Sequence, residues 1–216
     1  MEEEFKKIIE GFKGVATASV SDAVDKVVGR RGFMSHEIKP IFPCKIVGPA
    51  VTILNEEALV AAPPRLAMEA MENASPGDVL VLVIDGGKDV AGWGGLMTAG
   101  AIVKELAGTI LDCGTRDVIE IEEARYPVFA RSIVPSTTPG RYVTSAVQVP
   151  VICGGVRVNP GDIIVGDRDG VVVVPREQAA KVLETALAME ETERQMAREI
   201  YKRKSLLKAF EHFRRI

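Results

Sequence analysis

Hydrophobic and polar positions follow two patterns along the 216 residues, helical and strand-like. At the N-terminus, Phe5, Ile8, Ile9 and Phe12 recur at helical spacing, which predicts a helix from Glu2 to about Lys13. A second helical pattern covers Thr17 to Val28, with Ser19 or Ser21 as N-cap. Beyond the Gly29–Gly32 turn the pattern becomes strand-like. Lys45 to Leu54 reads as one β segment broken by Gly48-Pro49, and Pro64 to Met71 reads as a helix with proline at its start. A turn then occurs twice: Ser75-Pro76-Gly77-Asp78 before Val79–Ile84, and Asn159-Pro160-Gly161-Asp162 before Ile163–Gly166. In each, proline presets φ, glycine takes the left-handed position and the aspartate caps the turn. A helix from Gly100 to Leu106 packed on a strand from Gly108 to Leu111 makes the stretch from about Val79 to Leu111 a βαβ unit with parallel strands. After Pro127 come short β segments at Tyr142–Val149, Val151–Ile152, Val156–Val158, Ile163–Val165 and Val171–Val174. Arg176 to about Phe213 closes the chain as a long helix broken near Ser205, with Val182, Leu183, Ala186, Leu187, Met189 and Ile200 as its apolar stripe.

Composition narrows what such a chain does. With 47% hydrophobic residues the chain can bury a substantial core, and no boundary signal divides it, so one domain spanning 1–216 is expected, with a helical extension from about 176 to 216. The net charge of −3 provides no global positive field for nucleic acid or an anionic membrane. Residues 194–216 hold eight Lys/Arg against two Glu, a bias that the dipole of a helix C-terminus favours without any RNA. No apolar run approaches the roughly 18 to 20 residues that cross a bilayer, and Met1-Glu2-Glu3-Glu4 is acidic where a secretory signal is basic; a soluble cytoplasmic protein is expected. Cys44, Cys113 and Cys153 are odd in number and apolar in setting, as reduced core thiols are. The two histidines, His36 and His212, stand at no ligand spacing, which argues against zinc and against Ser-His-Asp or Cys-His catalysis. Chemistry must then run on carboxylates, arginine, backbone amides and a hard metal.

Two segments have the residues for that. Leu111-Asp112-Cys113-Gly114-Thr115-Arg116-Asp117 is a hydrophobic strand ending in a turn that sets a guanidinium beside a carboxylate. Arginine offers a planar, permanently charged fork to a carboxylate, and aspartate offers hard oxygens to Mg²⁺, directly or through water. An Arg-Asp dipeptide serves equally as a pair of solvated turn charges. The second segment, Asp85 to Met97, is glycine-dense between a strand and a helix beginning near Thr98. Free backbone N–H groups at such a junction can cradle an anion, while a plain surface connection has the same composition. It is neither a Walker loop nor a dinucleotide fingerprint.

Taken together, Trp93-Gly94-Gly95-Leu96-Met97, Gly114-Thr115-Arg116-Asp117, Pro150 to Asp162 and Gly166 to Pro175 resemble the RraA-like family, over roughly Val15 to Glu199. That family includes class II pyruvate aldolases for 4-hydroxy-4-methyl-2-oxoglutarate and 4-carboxy-4-hydroxy-2-oxoadipate, oxaloacetate decarboxylases and the regulator of ribonuclease E. Some members carry the label demethylmenaquinone methyltransferase, which these motifs do not support. The resemblance implies an α/β fold, a swivelling-domain-type α/β/α sandwich with a long C-terminal helix, assembled as a trimer or a dimer of trimers with sites between subunits. It also implies that Arg116 binds the carboxylate and keto oxygen of a 2-oxo acid and that Asp117 holds Mg²⁺ or Mn²⁺ largely through water. By the same analogy the backbone amides of Gly94, Gly95, Leu96 and Met97 grip the carboxylate, and Glu193 from a neighbouring subunit's C-terminal helix reaches the metal's waters.

One position departs from the family pattern. The aldolases place an acid-base aspartate 21 positions before the arginine, where this chain has Gly95. Asp85, Lys88 and Asp89 lie in the same loop as candidate substitutes. Decarboxylation of oxaloacetate needs only stabilisation of the developing enolate, whereas retro-aldol cleavage also needs a base, which contributes about 10²- to 10⁴-fold. The expected function is a metal-dependent carbon–carbon lyase acting through a pyruvate enolate. The alternative is a non-catalytic regulator that binds a ribonuclease or another protein, and the retained Asp117 favours the lyase.

Overall fold

The computed structural model describes residues 2–87 and 89–213. Two amphipathic helices, α1 (Glu2–Lys13) and α2 (Thr17–Val28), precede a short strand β1 (Lys39–Pro40) and the long strand β2 (Ile46–Glu57). Alternating elements follow: α3 (Arg65–Glu72), β3 (Val79–Ile84), β4 (Ala91–Trp93), α4 (Gly95–Val103), β5 (Gly108–Thr115), α5 (Val118–Glu123) and β6 (Val128–Ile133). Then come β7 (Tyr142–Val147), β8 (Val151–Cys153), β9 (Val156–Val158), β10 (Ile163–Asp167) and β11 (Gly170–Val174). A 3₁₀ turn, α6 (Ala179–Arg203) and α7 (Leu206–Phe213) end the chain. No helix among the described residues is long and apolar enough to cross a membrane.

The strands run in the order β1-β6-β5-β3-β2-β10-β11, with β4 pairing β5 and β7 pairing β2. β2, β3, β5 and β6 are mutually parallel, and β10 and β11 turn back antiparallel. The sheet rolls nearly into a barrel, and strand parity shows how. In β3, Val79, Val81 and Val83 join the same inner cluster as Ile164, Val171 and Val173, closed at one side by β8 and β9. Leu80, Leu82 and Ile84 face outward under α3, α4 and α5. On the far side Ile163, Val165, Val172 and Val174 face outward under α1, α2 and α6. Helix, rolled sheet and helix are thus the layers of the expected α/β/α architecture, with a mixed sheet as the middle one.

Both Pro-Gly turns are as the repeat predicts. Asp78 Oδ2 accepts the Ser75 amide at 2.8 Å, and Asp162 Oδ2 accepts the Asn159 amide at 2.8 Å. The left-handed Gly77 and Gly161 have φ of +87° and +83°. The βαβ unit is present, and the C-terminal helix breaks at Lys204-Ser205, where Lys204 is left-handed. Several boundaries differ from the sequence reading. Neither Ser19 nor Ser21 caps α2; the helix starts at Thr17, whose amide is taken by Asp167 from β10 at 3.1 Å. Gly48-Pro49 does not break β2, because the strand changes neighbours there: Ile46–Pro49 pair β10, and Ala50–Asn55 pair β3. Helix α4 begins at Gly95 rather than near Thr98 or Gly100, its first turn closed by Thr98 N–H donating to the Gly94 carbonyl at 3.0 Å. It ends at Val103, before Glu105 enters the left-handed region.

Candidate active site

Strand β5 delivers Thr115 to its tip, and Arg116 and Asp117 leave it toward solvent. The strand is anchored there by Arg116 N–H donating to the Trp93 carbonyl at 3.1 Å. Trp93 is itself fixed: 2% exposed, its indole Nε1 donating to Thr98 Oγ1 at 2.9 Å and its ring stacked on Tyr126 at 6.3 Å. Gly92 and Gly94 are required by close approach. A Cβ at Gly92 would stand 2.8 Å from the Cys113 sulfur, and one at Gly94 would stand 2.6 Å from Asp117 Oδ2. The glycine loop and the Arg-Asp turn, widely separated in sequence, therefore pack directly against each other.

Asp117 holds the conformation that sets the site. It is the N-cap of α5 but left-handed, with φ +55° and ψ +38°, and its carboxylate does not cap its own helix. A non-glycine residue there is uncommon, aspartate being among the more tolerant, and such strain concentrates at functional positions. The side chain instead accepts the Gly95 amide at 2.9 Å and lies 3.6 Å from Arg116 Nε. Arg116 and Asp117 remain 43% and 38% exposed, so neither charge is used up by the pairing. Because the Gly95 amide is spent on Asp117, the N–H groups left for a substrate anion at this helix start are those of Leu96 and Met97, which have no partner within α4.

A cavity of about 680 Å³ opens at this point, lined by Gly94, Gly95, Leu96, Met97, Arg116 and Asp117 on one side and by segments 61–64 and 137–139 on the other. The expected substrate- and metal-binding residues Gly94, Gly95, Leu96, Met97, Arg116 and Asp117 all meet here. Glu193 does not line it: it is an exposed residue of α6, a helix packed on α1 and α2. Asp85 lines a different cavity of about 570 Å³ together with Asp112 and Arg131. Asp89 is tied to the 136 loop, its carbonyl accepting Ser136 Oγ at 2.8 Å, and Lys88 lies outside the described residues. Neither Asp85 nor Asp89 lines the Arg116 cavity.

A carboxylate that the sequence reading missed stands beside Gly95. A Cβ added at Gly95 would overlap Glu120 Oε2, with Asp117 Oδ2 3.6 Å away. The space a side chain at position 95 would enter is filled by a carboxylate from the first turn of α5, where a negative charge also suits the helix dipole. The signal was present as Arg116-Asp117 followed three residues later by Glu120, one helical turn on, and unreadable without knowing that α5 folds back over Gly95.

Among the described residues no three His, Cys, Asp or Glu side chains gather in one place. A cation at Asp117 would therefore complete its shell with water and substrate oxygens, as Mg²⁺ commonly does, and the exposed carboxylate with hard oxygens at the cavity fits that habit. The cysteines take no part: burial pushes the Cys44 thiol up to about 11 and Cys113 to about 12, and Cys153 is likewise raised by burial, with Asp112 adding to it.

The family model described as Aldolase/RraA, the RraA-like family, matches residues 17–173. A protein of Halalkalibacterium halodurans named "Putative 4-hydroxy-4-methyl-2-oxoglutarate aldolase" is 34% identical over 180 residues, 82% of this chain and 81% of its own length. A crystal structure of an uncharacterized Pseudomonas syringae protein superposes with TM-score 0.85 at 31% identity, covering 94% of this chain and 96% of that one. The structure of Streptomyces coelicolor RraAS2, described as an unusual member of the RNase ES inhibitor RraA protein family, gives TM-score 0.79 at 26% identity over 87% of this chain and 94% of that one.

Proposed function

The chain belongs to the RraA-like family, and from that membership and its site geometry we propose that it is a divalent-metal-dependent carbon–carbon lyase acting on a small 2-oxo acid through a pyruvate enolate. The observation that carries this is the convergence of Arg116, Asp117 and the Gly95–Met97 helix start in one open cavity, with the Glu120 carboxylate standing beside it at the place of a side chain on Gly95.

Arg116 and the amides of Leu96 and Met97 would bind the pyruvyl carboxylate and keto oxygen, and the guanidinium would neutralise charge as it develops on that oxygen. Asp117 would hold Mg²⁺ or Mn²⁺, with Glu193 from a neighbouring copy in a trimer or hexamer reaching its waters. Such a cation, when bound, supplies Lewis-acid stabilisation of the same oxygen. Glu120 would accept the proton of a substrate hydroxyl at C4, so that C4–O becomes a carbonyl as the C3–C4 bond breaks. Loss of carbon dioxide from oxaloacetate needs no such base, so it is the simplest reaction this site should run.

The decisive experiment is calorimetric titration of Mg²⁺ and oxalate into the wild type and Asp117→Ala, with oxaloacetate turnover measured alongside. Metal-dependent oxalate binding and turnover, both lost in the variant, are expected; identical behaviour of the two proteins overturns the proposal. The competing reading, a cytoplasmic regulator binding a ribonuclease as the description of the Streptomyces relative suggests, predicts neither metal-linked oxalate binding nor turnover.

A further inference from the structure

Resting on the lyase reading, the far half of the Arg116 cavity points to the substrate's tail. A three-carbon pyruvyl head fills only a small part of about 680 Å³. The opposite wall consists of residues 61–64 and 137–139, whose segments are fastened together by Ala58 N–H donating to the Arg141 carbonyl at 2.9 Å and Gly140 N–H donating to the Val60 carbonyl at 3.0 Å. The side chains presented there are Pro63, Pro64, Met68, Met71 and Pro139, with the hydroxyl residues Thr137 and Thr138.

Among the described residues lining this cavity Arg116 is the one cation, and the head of the substrate uses it. The basic side chains nearest to these walls in sequence already have partners. Arg65 pairs with Glu69 at 2.8 Å, Lys104 with Glu72 at 3.7 Å, and Arg141 donates to the Thr137 carbonyl at 3.1 Å. The charged residue that does line the tail region, Glu72, is the carboxylate that takes up Lys104. A second carboxylate would leave water for a wall of apolar side chains that offers it no free counter-charge, which is unfavourable.

We infer that this chain is built for 4-hydroxy-2-oxo acids whose tail is neutral and aliphatic, in preference to substrates that keep a second carboxylate through the reaction. Oxaloacetate is consistent with this, because its second carboxylate departs as neutral carbon dioxide. In the cleavage the C4 hydroxyl loses its proton to a base and the C3–C4 electron pair passes to the pyruvyl enolate. An aliphatic aldehyde leaves, and reprotonation at C3 gives pyruvate.

The test uses two isosteric substrates with identical heads, 4-hydroxy-5-methyl-2-oxohexanoate, ending in isopropyl, and 4-hydroxy-2-oxoglutarate, ending in carboxylate. With Mg²⁺ and the full chain, kcat/KM for pyruvate release should favour isopropyl by at least about tenfold, since mismatches of polarity in a built pocket discriminate at that level or above. In Met68→Lys, at a side chain already 45% exposed and able to tolerate the change, the ratio should move toward the dicarboxylate by about tenfold. Equal or preferred cleavage of the dicarboxylate by the wild type overturns the inference, as does an unchanged ratio in the variant. Calorimetric binding of both acids is measured in parallel. If neither is cleaved, the lyase reading fails, yet tighter binding of the isopropyl acid still supports the tail assignment and tighter binding of the dicarboxylate, or binding of neither, overturns it.

Discussion

Strand β5 carries two arginine–carboxylate groupings whose fates are opposite. At Asp112 the carboxylate and Arg131 of β6 are each 13% exposed; Arg131 donates to Asp112 and, on its other side, to Glu37, while Asp112 also accepts the Gly154 amide at 2.6 Å. Four and five residues further on, just past the strand's end, Arg116 and Asp117 are 43% and 38% exposed and sit 3.6 Å apart, beyond direct hydrogen-bond distance. The first grouping uses its hydrogen-bonding capacity internally and ties β5, β6, the turn near Glu37 and the β8–β9 hairpin together. The second leaves its capacity open to the cavity. An ion pair left incomplete at a cavity is thus available to a ligand, whereas a saturated one serves as a structural clamp.

The largest effect that would sharpen this contrast is on the clamp. Asp112→Ala leaves the partly buried Arg131 with Glu37 alone, so unfolding free energy should fall by about 2–3 kcal/mol, somewhat less than the loss on breaking a fully buried pair from one side. Denaturant titration measures it, and a loss below about 1 kcal/mol would break the comparison. Arg116→Ala is the counterpart. Stability should change by no more than about 1 kcal/mol, as for other exposed pairs, while metal-dependent oxaloacetate turnover should drop about 10²- to 10³-fold, as for loss of one preorganised donor to a developing oxyanion. Large destabilisation with activity retained would reverse the assignments of the two arginines.

Why the two pairs were not equally legible before folding follows from what each depends on. Arg116 and Asp117 are adjacent in sequence, and the glycine loop is recognisable by composition, so their chemistry is local. The parallel βαβ core, the twin Pro-Gly turns and the break near Ser205 are local too, being written in periodicity and turn residues. Asp112, Arg131, Glu37 and Gly154 come from four separate segments, and their meeting is a product of sheet order. The start of α2 depends on Asp167, 150 residues away, so a nearby serine was the wrong cap to choose. Glu120 is an intermediate case: its spacing from Asp117 is local, and its overlap with the missing side chain of Gly95 is tertiary.

Glu120 gives a finer test of the open site. If it accepts the C4 hydroxyl proton, Glu120→Gln should lower retro-aldol kcat by about 10²-fold and oxaloacetate decarboxylation by much less, because only the former transfers that proton. Equal losses in both reactions accompanied by weaker Mg²⁺ binding would instead make Glu120 a holder of the cation. Gly95→Asp, restoring a carboxylate on the loop, must displace the Glu120 side chain. Paired with Glu120→Gln it should recover part of the aldol activity that the single Glu120 variant loses.

The smallest effect concerns a third pairing, intermediate between the two on β5. Lys45 and Asp167 have side chains 28% and 25% exposed and stand 3.3 Å apart, and Lys45 Nζ also donates to the Val15 carbonyl at 2.6 Å. Burial by itself would raise the Asp167 pKa. The Thr17 side chain, the amides of Asp169 and Thr17, and the Lys45 charge outweigh it and hold the value below that of an ordinary aspartate. A carboxyl depressed in the folded state binds its proton more readily when unfolded. Its stabilising contribution is therefore whole above the unfolded pKa, near 4, and disappears as pH falls through the lower folded value. Asp167→Ala should cost about 1 kcal/mol at pH 7, the usual loss for a missing helix cap, and this difference from wild type should shrink when chemical denaturation is repeated below about pH 4. A gap of undiminished size in acid would mean that Asp167 acts through packing rather than charge, placing it with neither the clamp nor the open site.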